Sequence, residues 1–270
     1  MRIGFIGQTK VGKSTLFNQV AGYKAETGNF SGTTVTFTES KVRLMGTIVD
    51  VVDLPGTYTL AGTNPAEREV IKYLTSNEVD VVVNVLDASH LSHGLSMTVE
   101  LMELDLPMVI ALNMMDEADR LGIRIDVDSL ASRLGVPVIP MIASKGRGIQ
   151  PLFVNAFQVG QKNQKPIQPR YSADLERALE ILMADLGSVK SHLKPRALAL
   201  KLLEGDQEIF ENAVKQKSKL ITDLKSIKDS LYHQRGRTSE WIINGERVAY
   251  ADDIADSVIK QGQRRITCLE

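Results

Sequence analysis

The sequence predicts an α/β domain with a mainly parallel sheet, followed by a small all-α domain. Up to about residue 160, short β-branched runs alternate with helical stretches, which is typical of parallel strands covered by helices on both faces. Residues 161–170 are polar and contain two prolines, and beyond them no further strand is indicated. We therefore expect a first domain over residues 1–160, a linker over 161–170 and a helical domain over 171–265.

The strands of the first domain are predicted from runs of apolar and β-branched residues. A short run at 3–6 begins the sheet, and runs at 35–44 and 47–53 predict a hairpin that turns at Met45 and Gly46. Three more buried strands are expected at residues 79–86, 108–113 and 136–142. Because ligands bind beyond the carboxyl ends of such strands, the residues that directly follow them are the candidates for a functional site.

Helices are predicted between and after these strands from apolar residues at helical spacing. In the first domain the predicted helices cover residues 14–21, 66–75, 95–104, 128–134 and 151–158. In the second domain, amphipathic helices are expected over residues 173–186, 195–204, 207–232 and 248–261.

The composition argues against several classes of protein. Hydrophobic residues make up 43% and charged residues 24%, as in ordinary soluble proteins, and a net charge of −1 gives no bulk attraction to nucleic acid. The single cysteine, Cys268, excludes a disulfide framework and fits a reducing cytosol. All apolar runs are shorter than the ~20 residues that a membrane span needs, and the first of them is too short for a signal peptide.

The strongest motif lies between the first predicted strand and the first predicted helix. Gly7 to Ser14 read G-x-x-x-x-G-K-S, a loop whose backbone N–H groups close around phosphate oxygens. Lys13 is expected to meet the β- and γ-phosphates as a point charge, and Ser14 to offer its hydroxyl to Mg²⁺. The phosphate-binding residues predicted from this motif are Gly7, Lys10, Val11, Gly12, Lys13, Ser14 and Thr15.

Selectivity for the base is predicted from an N-x-x-D motif that begins at Asn113, directly after a buried strand. The carboxylate of Asp116 can accept hydrogen bonds from the ring N–H and the exocyclic amine of guanine, whereas adenine would leave that carboxylate unpaired. Met114 is assigned to the same nucleotide-binding set. The next strand leads to Ala143 and Ser144, where the N–H of Ala143 is expected to meet the guanine oxygen, with Ser144 beside the base.

A third motif, D-x-x-G, begins at Asp53 after another predicted strand. Asp53 is expected opposite Ser14, where it can hold Mg²⁺ through water, and Gly56 can offer its N–H to the γ-phosphate. The loop between these motifs ends near Thr34, which we expect to close on Mg²⁺ only while the γ-phosphate is present. Thr33 is the competing candidate, and both threonines also fit simply as the start of the next strand. The predicted catalytic residues are Lys13, Thr34 and Gly56, and the predicted metal ligands are Ser14, Thr34 and Asp53.

Over about residues 1–160, and more loosely beyond them, the sequence resembles the GTPase domain of ferrous iron transport protein B (FeoB). The segments that carry the resemblance are GQTKVGKSTLFNQVAG, GNFSGTTVT, VDLPGTYTL, ALNMMDEA and PVIPMIASKGRGI. The resemblance implies a G domain that uses GTP, GDP and Mg²⁺, a helical domain that tunes nucleotide affinity, and a polytopic membrane pore. It also implies iron transport at the cytoplasmic face of the bacterial inner membrane, with this chain as the soluble N-terminal part and small accessory iron-transport proteins as partners.

Two positions bear on hydrolysis. FeoB proteins usually carry Asn where this chain has Lys10, and the resemblance links that Asn to potassium-assisted hydrolysis, so we expect potassium stimulation to be weak or absent here. Ras-like GTPases place a water-orienting Gln after D-x-x-G, but Thr57 stands there and is too short for that task. Arg147 reads as a solvated loop residue rather than an arginine finger. We therefore expect slow turnover, ~10⁻⁴ to 10⁻³ s⁻¹.

Alternative functions are less compatible with the sequence. An RNA- or ribosome-associated GTPase would favour a basic C-terminal domain with a G-x-x-G loop, and neither follows residue 160, so no nucleic-acid partner is expected. A nucleotide kinase or ATPase conflicts with N-x-x-D, although residues 143–148 taken alone also fit a plain turn. His90 and His93 form H-x-x-H without a third ligand nearby in sequence, so we expect solvated loop histidines.

Overall fold

The central sheet has seven strands among the residues that the computed structural model describes, which are 1–21, 25–30, 33–44, 46–62, 64–76 and 78–261. The strands of the chain are β1 Arg2–Gly7, β2 Glu26–Asn29, β3 Thr36–Leu44, β4 Thr47–Asp53, β5 Val81–Asp87, β6 Met108–Asn113, β7 Ile123–Ile125, β8 Val138–Pro140 and β9 Ile259–Gln261. The order across the sheet is β2-β3-β4-β1-β5-β6-β8. Strands β4, β1, β5, β6 and β8 run parallel, whereas β2 and β3 form an antiparallel edge with β4. The predicted mainly parallel sheet is confirmed.

Helices pack on both faces of this sheet and continue beyond it. They are α1 Lys13–Ala21, α2 Pro65–Thr75, α3 Leu91–Glu103, α4 Met115–Leu121, α5 Val127–Leu134, α6 Ile149–Lys162, α7 Ala173–Leu186, α8 Pro195–Glu204, α9 Gln207–Gln216, α10 Leu220–Arg235 and α11 Ser239–Val258. On one face, the ring of Phe5 lies edge-on to Phe17 of α1 and Phe153 of α6, at centroid distances of 6.3 and 6.1 Å. Each fully buried side chain of this size contributes about 1.5–3 kcal/mol, so this cluster fixes α1 and α6 against β1.

Side-chain caps explain where several helices begin. Asn64 accepts a hydrogen bond of 2.9 Å from the N–H of Glu67, and Pro65 occupies the first helical position of α2. Asp126 caps α5 and Asp206 caps α9 in the same way, each through a 3.0 Å bond from the backbone three residues on. These acids satisfy N–H groups that have no partner inside the helix and also complement its positive end.

The single helix predicted over residues 207–232 is wrong, because the chain forms two helices there. Helix α9 ends at Gln216, and Lys217 is extended, with φ −147° and ψ 90°. The ammonium of Lys217 donates 2.7 Å to the carbonyl oxygen and 3.0 Å to the carboxylate of Asp185, at the end of α7. This contact stabilises the break, while the sequence around it contains no glycine or proline that would have marked the end of a helix.

The last predicted helix, over residues 248–261, is also placed wrongly. Helix α11 begins nine residues earlier, after Thr238, whose hydroxyl accepts a hydrogen bond of 3.4 Å from the N–H of Trp241. It ends at Val258, and the chain then continues as β9, which pairs antiparallel with β7. The expectation that no strand follows the linker is therefore wrong as well, because a three-residue strand is too short to give a periodic signal.

Helix α11 packs against the first domain as well as against the helical region. Its apolar residues Ala251, Ile254, Ala255 and Val258 belong to the same core cluster as Leu74 of α2. The segment between α6 and α7 has no regular secondary structure, but the exact domain limits given above stay a prediction. In the part of the chain that is described, no helix is both long and apolar enough to span a lipid bilayer.

Candidate nucleotide site

The loop between β1 and α1 forms the wall of a cleft of about 420 Å³ at the carboxyl ends of the parallel strands. The cleft is lined by Gln8, Thr9, Lys10, Gly12, Lys13, Ser14, Thr15, Gly56 and Met114. Lys10 and Gly12 both have left-handed backbone conformations, with φ of 68° and 87°. A Cβ atom at Gly12 would also overlap the side-chain amide of Asn113, so only glycine fits this point of the loop.

Lys13, Ser14 and Asp53 meet at the bottom of the cleft. Strand β4 pairs with β1 so that Asp53 lies opposite Phe5, which brings its carboxylate to the first turn of α1. Ser14 Oγ donates a hydrogen bond of 3.1 Å to Asp53 Oδ2, and the Lys13 ammonium forms an ion pair with Oδ1. A hydroxyl and a carboxylate side by side are hard oxygen donors of the kind that Mg²⁺ prefers, so the predicted metal ligands Ser14 and Asp53 fit that ion.

The D-x-x-G segment runs directly beside the phosphate loop. A Cβ at Gly56 would lie 3.3 Å from Thr9 Cγ2, and the N–H of Thr57 donates 3.4 Å to the carbonyl oxygen of Gly7. The side chain of Thr57 is buried, and its hydroxyl points to the sulfur of Met97, 3.8 Å away, rather than into the cleft. The exposed Tyr58 was not predicted for the site, yet its hydroxyl is hydrogen-bonded to that of Thr9.

Asn113 connects the phosphate loop to the loop that follows β8. Its amide Nδ2 donates 2.9 Å to the carbonyl oxygen of Val11, and its Oδ1 accepts 2.9 Å from the N–H of Ala143. The side chain is buried, so it acts between the two loops and does not face a base. The Ala143 N–H, which the sequence predicts to meet a guanine oxygen, is bonded to Asn113 in this structure.

Asp116 marks the other end of the site, in the first turn of α4. Its carboxylate is half exposed and accepts a hydrogen bond of 2.8 Å from the ammonium of Lys145, which was not predicted. The hydrogen bond from Lys145 holds the pKa of Asp116 below its usual value, so the group is ionised at neutral pH. Met114, the residue before the helix, lines the cleft and has a left-handed backbone, with φ 60°.

Family comparisons identify the lineage of this site. Residues 1–156 match the sequence family described as "Ferrous iron transport protein B", and residues 171–260 match the family described as "FeoB cytosolic helical domain". The chain belongs to the FeoB family.

Curated FeoB relatives are longer than this chain. The Fe(2+) transporter FeoB of Salmonella typhimurium strain LT2 is 37% identical over 235 residues, which cover 86% of this chain and 30% of that protein. The Escherichia coli K12 transporter of the same name is 38% identical over 210 residues, or 76% of this chain and 27% of that protein. The chain thus spans about a third or less of these relatives.

Solved FeoB structures share the whole architecture. A GDP-bound mutant of the S. thermophilus FeoB G-domain superposes with a TM-score of 0.86 at 28% identity, covering 96% of this chain and all of that one. The apo cytosolic domain of T. maritima FeoB has a TM-score of 0.84 at 26% identity, over 96% and 99% of the two chains. The FeoB G domain has the P-loop GTPase fold, and the helical region of this chain follows it as it does in these structures.

The segment between α1 and β3 holds the predicted switch threonines of this FeoB-family chain. Gly28 lies in β2, and Ser31 and Gly32 fall outside the described residues. Thr33 stabilises a local turn, since its hydroxyl donates 3.2 Å to the Phe30 carbonyl and accepts 3.2 Å from the N–H of Val35. Thr34 is exposed, and within the described part of the chain no hydrogen bond joins it to Ser14 or Asp53.

The histidines near the phosphate loop form no metal site in the described part of the FeoB-family chain. His90 Nδ1 lies 3.3 Å from Asp87 Oδ2, and the ring of His93 is 6.4 Å from that of His90. The backbone carbonyl of His93 accepts 2.8 Å from the side chain of Gln8, which ties α3 to the phosphate loop. Cys268 lies outside the described residues.

Proposed function

We propose that this chain binds GTP and GDP with Mg²⁺ and hydrolyses GTP slowly, as the cytosolic nucleotide switch of a bacterial ferrous iron transporter. The observation that carries the proposal is the position of Asn113 between the carbonyl of Val11 and the N–H of Ala143, each 2.9 Å away. One buried side chain thereby fixes the distance between a phosphate-binding loop and a base-binding loop. Such preorganisation lowers the cost of binding one nucleotide across both.

The base end supports guanine over adenine. The ionised carboxylate of Asp116 offers two acceptor oxygens to the ring N–H and the exocyclic amine of guanine. Because Asn113 occupies the N–H of Ala143, we assign the donor for the guanine oxygen to the next N–H in the chain, that of Ser144. Adenine would present an amine to that N–H and an acceptor nitrogen to Asp116, leaving both protein groups unpaired.

The phosphate end supports a magnesium-dependent triphosphate site. Ser14 and Asp53 supply the oxygen ligands, and bound Mg²⁺ would neutralise charge on the phosphates. The ammonium of Lys13 is paired with Asp53 and has to turn to the β- and γ-phosphates when nucleotide binds. Gly56 offers its N–H to the γ-phosphate, and Thr34 closes over the metal from its exposed position.

The proposed hydrolysis is slow because the residue at the usual water-orienting position does not reach into the cleft. Thr57, at the position after Gly56, points its hydroxyl to Met97 and away from the cleft. We expect a rate of ~10⁻⁴ to 10⁻³ s⁻¹, as for Ras without its activator.

The transport role rests on the family. The curated relatives are Fe(2+) transporters of which this chain covers 27–30%, so we propose that its nucleotide state acts on a membrane-embedded portion of the same polypeptide. We place the chain at the cytoplasmic face of the bacterial inner membrane, with accessory iron-transport proteins as further partners. We assign residues 1–160 to the G domain and 171–265 to a helical domain that tunes nucleotide affinity. The RNA-associated alternative has no comparable support.

Competition for a fluorescent GDP analogue tests the proposal. GTP and GDP should displace the analogue from the purified chain, whereas ATP and ADP should fail at concentrations at least about a hundredfold higher. GTP binding should weaken when Mg²⁺ is chelated, and hydrolysis should be followed as phosphate release in a single turnover. Equal displacement by adenine and guanine nucleotides, or displacement by neither, would overturn the proposal.

A further inference from the structure

The chain just after Gly56 is held by two buried charged side chains that come from different parts of the molecule. Glu100 reaches it from α3 in the first domain, and Lys201 reaches it from α8 in the helical region. Their side chains are only 7% and 4% exposed. Both contact Leu60, four residues beyond Gly56, and none of the three nucleotide motifs includes either of them.

Glu100 binds this segment through its carboxylate. Its Oε2 accepts 2.7 Å from the backbone N–H of Leu60 and 3.1 Å from the hydroxyl of Thr59, while Oε1 lies 2.9 Å from the same hydroxyl. The hydroxyl of Thr59 in turn accepts 3.1 Å from the N–H of Ala61. Thr59 and Leu60 are thus bonded to one carboxylate on α3, and Ala61 is joined to it through the Thr59 hydroxyl.

Lys201 completes the clamp from the helical side. Its ammonium donates a hydrogen bond to the carbonyl oxygen of Leu60 and lies 3.1 Å from a carboxylate oxygen of Glu204. Glu204 also pairs with Arg247 of α11, whose guanidinium forms a two-bond contact of 2.6 and 2.9 Å with Glu103 of α3. Both the N–H and the carbonyl of Leu60 are therefore tied to a buried ionic network that joins α3, α8 and α11.

We propose that Glu100 and Lys201 are positioning residues for GTP hydrolysis. They hold the segment after Gly56 in one conformation and couple that conformation to the helical region. This inference rests on the function proposed above. If the Gly56 N–H meets the γ-phosphate, GTP and GDP place different demands on this segment, because only GTP carries that phosphate. A residue that restrains Leu60 therefore changes the preference for GTP over GDP, and the helical region is coupled to nucleotide state by the same free energy.

Exchange of Lys201 for Met tests the clamp, with Lys217→Met as the matched control. Lys217 also donates to a carbonyl oxygen and a carboxylate, both of Asp185, but lies within the helical region and away from the nucleotide motifs. The measurements are affinities for a nonhydrolysable GTP analogue and for GDP, and single-turnover hydrolysis per bound nucleotide. In Lys201→Met we expect the ratio of the two affinities and the rate each to change by roughly fivefold or more. In Lys217→Met both should match the wild type.

A purely structural role for Lys201 would weaken both nucleotides equally and leave their ratio unchanged, which would overturn the proposal. Should Lys201→Met fail to fold by circular dichroism, Thr59→Val decides instead, because it removes only a half-buried hydroxyl. The same direction of change is expected there, and an unchanged ratio and rate would again overturn the clamp.

Hydrogen exchange separates failure of the clamp from failure of the proposed GTPase. In the nucleotide-free chain, backbone amides of residues 57–61 should exchange faster in Lys201→Met than in Lys217→Met or the wild type. If the wild type binds no guanine nucleotide, the proposed function is wrong, and hydrogen exchange still tests the clamp. Unchanged exchange over residues 57–61 would reject the clamp even in a chain that binds GTP.

Discussion

The ammonium of Lys145 lies 2.8 Å from Oδ2 of Asp116, so the carboxylate assigned to guanine recognition already has a counter-ion. Both side chains are about half exposed, with 57% and 40% of their surfaces accessible, and solvent therefore screens the pair. A guanine ring can take the free lone pairs of Asp116 while Lys145 keeps the group ionised.

Replacing Asp116 by Asn should move the specificity of the site from guanine to xanthine nucleotides. Xanthine carries a carbonyl where guanine has its exocyclic amine, and the Asn amide can donate to that carbonyl. GTP affinity should fall about 100-fold, since a carboxylate that pairs with two donors is lost. Displacement of fluorescent GDP and XDP analogues measures the change. Asp119→Asn, an exposed residue of the same helix, should bind GTP as the wild type does, and GTP binding retained in Asp116→Asn would contradict the assignment.

Gly12→Ala should destabilise the nucleotide-free chain more than Gly46→Ala. Both glycines have left-handed backbone angles, 87° and 81°, but a Cβ at Gly46 meets no atom within 4 Å, whereas at Gly12 it overlaps Asn113. We expect a loss of roughly 1 kcal/mol at Gly46 from backbone strain alone. At Gly12 the overlap should add about 1–3 kcal/mol and abolish nucleotide binding. Urea unfolding measures the loss of stability in each variant. Equal losses would show that the Asn113 side chain moves aside at no cost in free energy.

Lys10 should make hydrolysis independent of potassium. An ammonium in the cleft meets the phosphates as a charge of its own, whereas the carbonyl oxygen of an Asn would be a ligand for a potassium ion. The wild type should therefore hydrolyse GTP at equal rates in KCl and NaCl, and Lys10→Asn should gain stimulation by KCl. The left-handed backbone at φ 68° favours Asn, so the loop keeps its shape.

Lys10→Met serves as the control for that exchange, because it removes the ammonium without adding an oxygen ligand. Phosphate release in the two salts should stay equal in this variant. A clear potassium stimulation of the wild type would refute the role assigned to Lys10.

Glu100→Gln should become relatively more stable as the pH rises. Burial raises the pKa of Glu100 above its usual 4.5, opposed by Arg247 and Lys201 and reinforced by Glu103 and Glu204. The folded chain therefore holds this proton to a higher pH than the unfolded chain, and the stability that it provides is lost as the pH rises through the folded pKa. The substitution also changes hydrogen bonds, and this changes the free energy of unfolding by an amount that does not depend on pH.

Urea unfolding of the wild type and Glu100→Gln at pH 5 and pH 8 measures this difference. The free energy of unfolding of the Gln variant should gain on that of the wild type between the two values. If the free energies of unfolding of the two proteins differ by the same amount at pH 5 and pH 8, Glu100 is charged in the folded chain at both pH values.

Much of the fold follows from local sequence pattern. The runs at β1, β3, β4, β5 and β6 contain apolar or β-branched residues, and the three nucleotide motifs begin at the ends of β1, β4 and β6. Their convergence at one sheet edge therefore follows from the topology. Strands β7 and β9 each have three residues and pair only with one another, from positions far apart in the chain. No periodicity exists over such a length, and their pairing depends on where α11 packs.

The sequence predicts which residues gather at the candidate site, but it says less about where their side chains point. The sequence places Asn113, Ala143 and Asp116 near the nucleotide, but only the structure tells that Asn113 turns inward and takes the N–H of Ala143. Lys145 stands within the same short segment as Ala143, yet sequence patterns do not say which way a lysine side chain points. The contacts of Glu100 and Lys201 could not be predicted from local sequence patterns, because these residues lie 40 and 141 positions away from Leu60 in the chain.

The small sheet of β7 and β9 has a mechanical consequence. Its register pairs Ile123 with Gln261 and Ile125 with Ile259, so the strand that follows α11 is hydrogen-bonded to the strand that follows α4. The strands are antiparallel, and Gln261 pairs with the end of β7 that joins α4, so a load applied at Gln261 would meet this rung first. Because α4 carries Asp116 in its first turn, tension on the polypeptide beyond Gln261 would be delivered to the Asp116 end of the site.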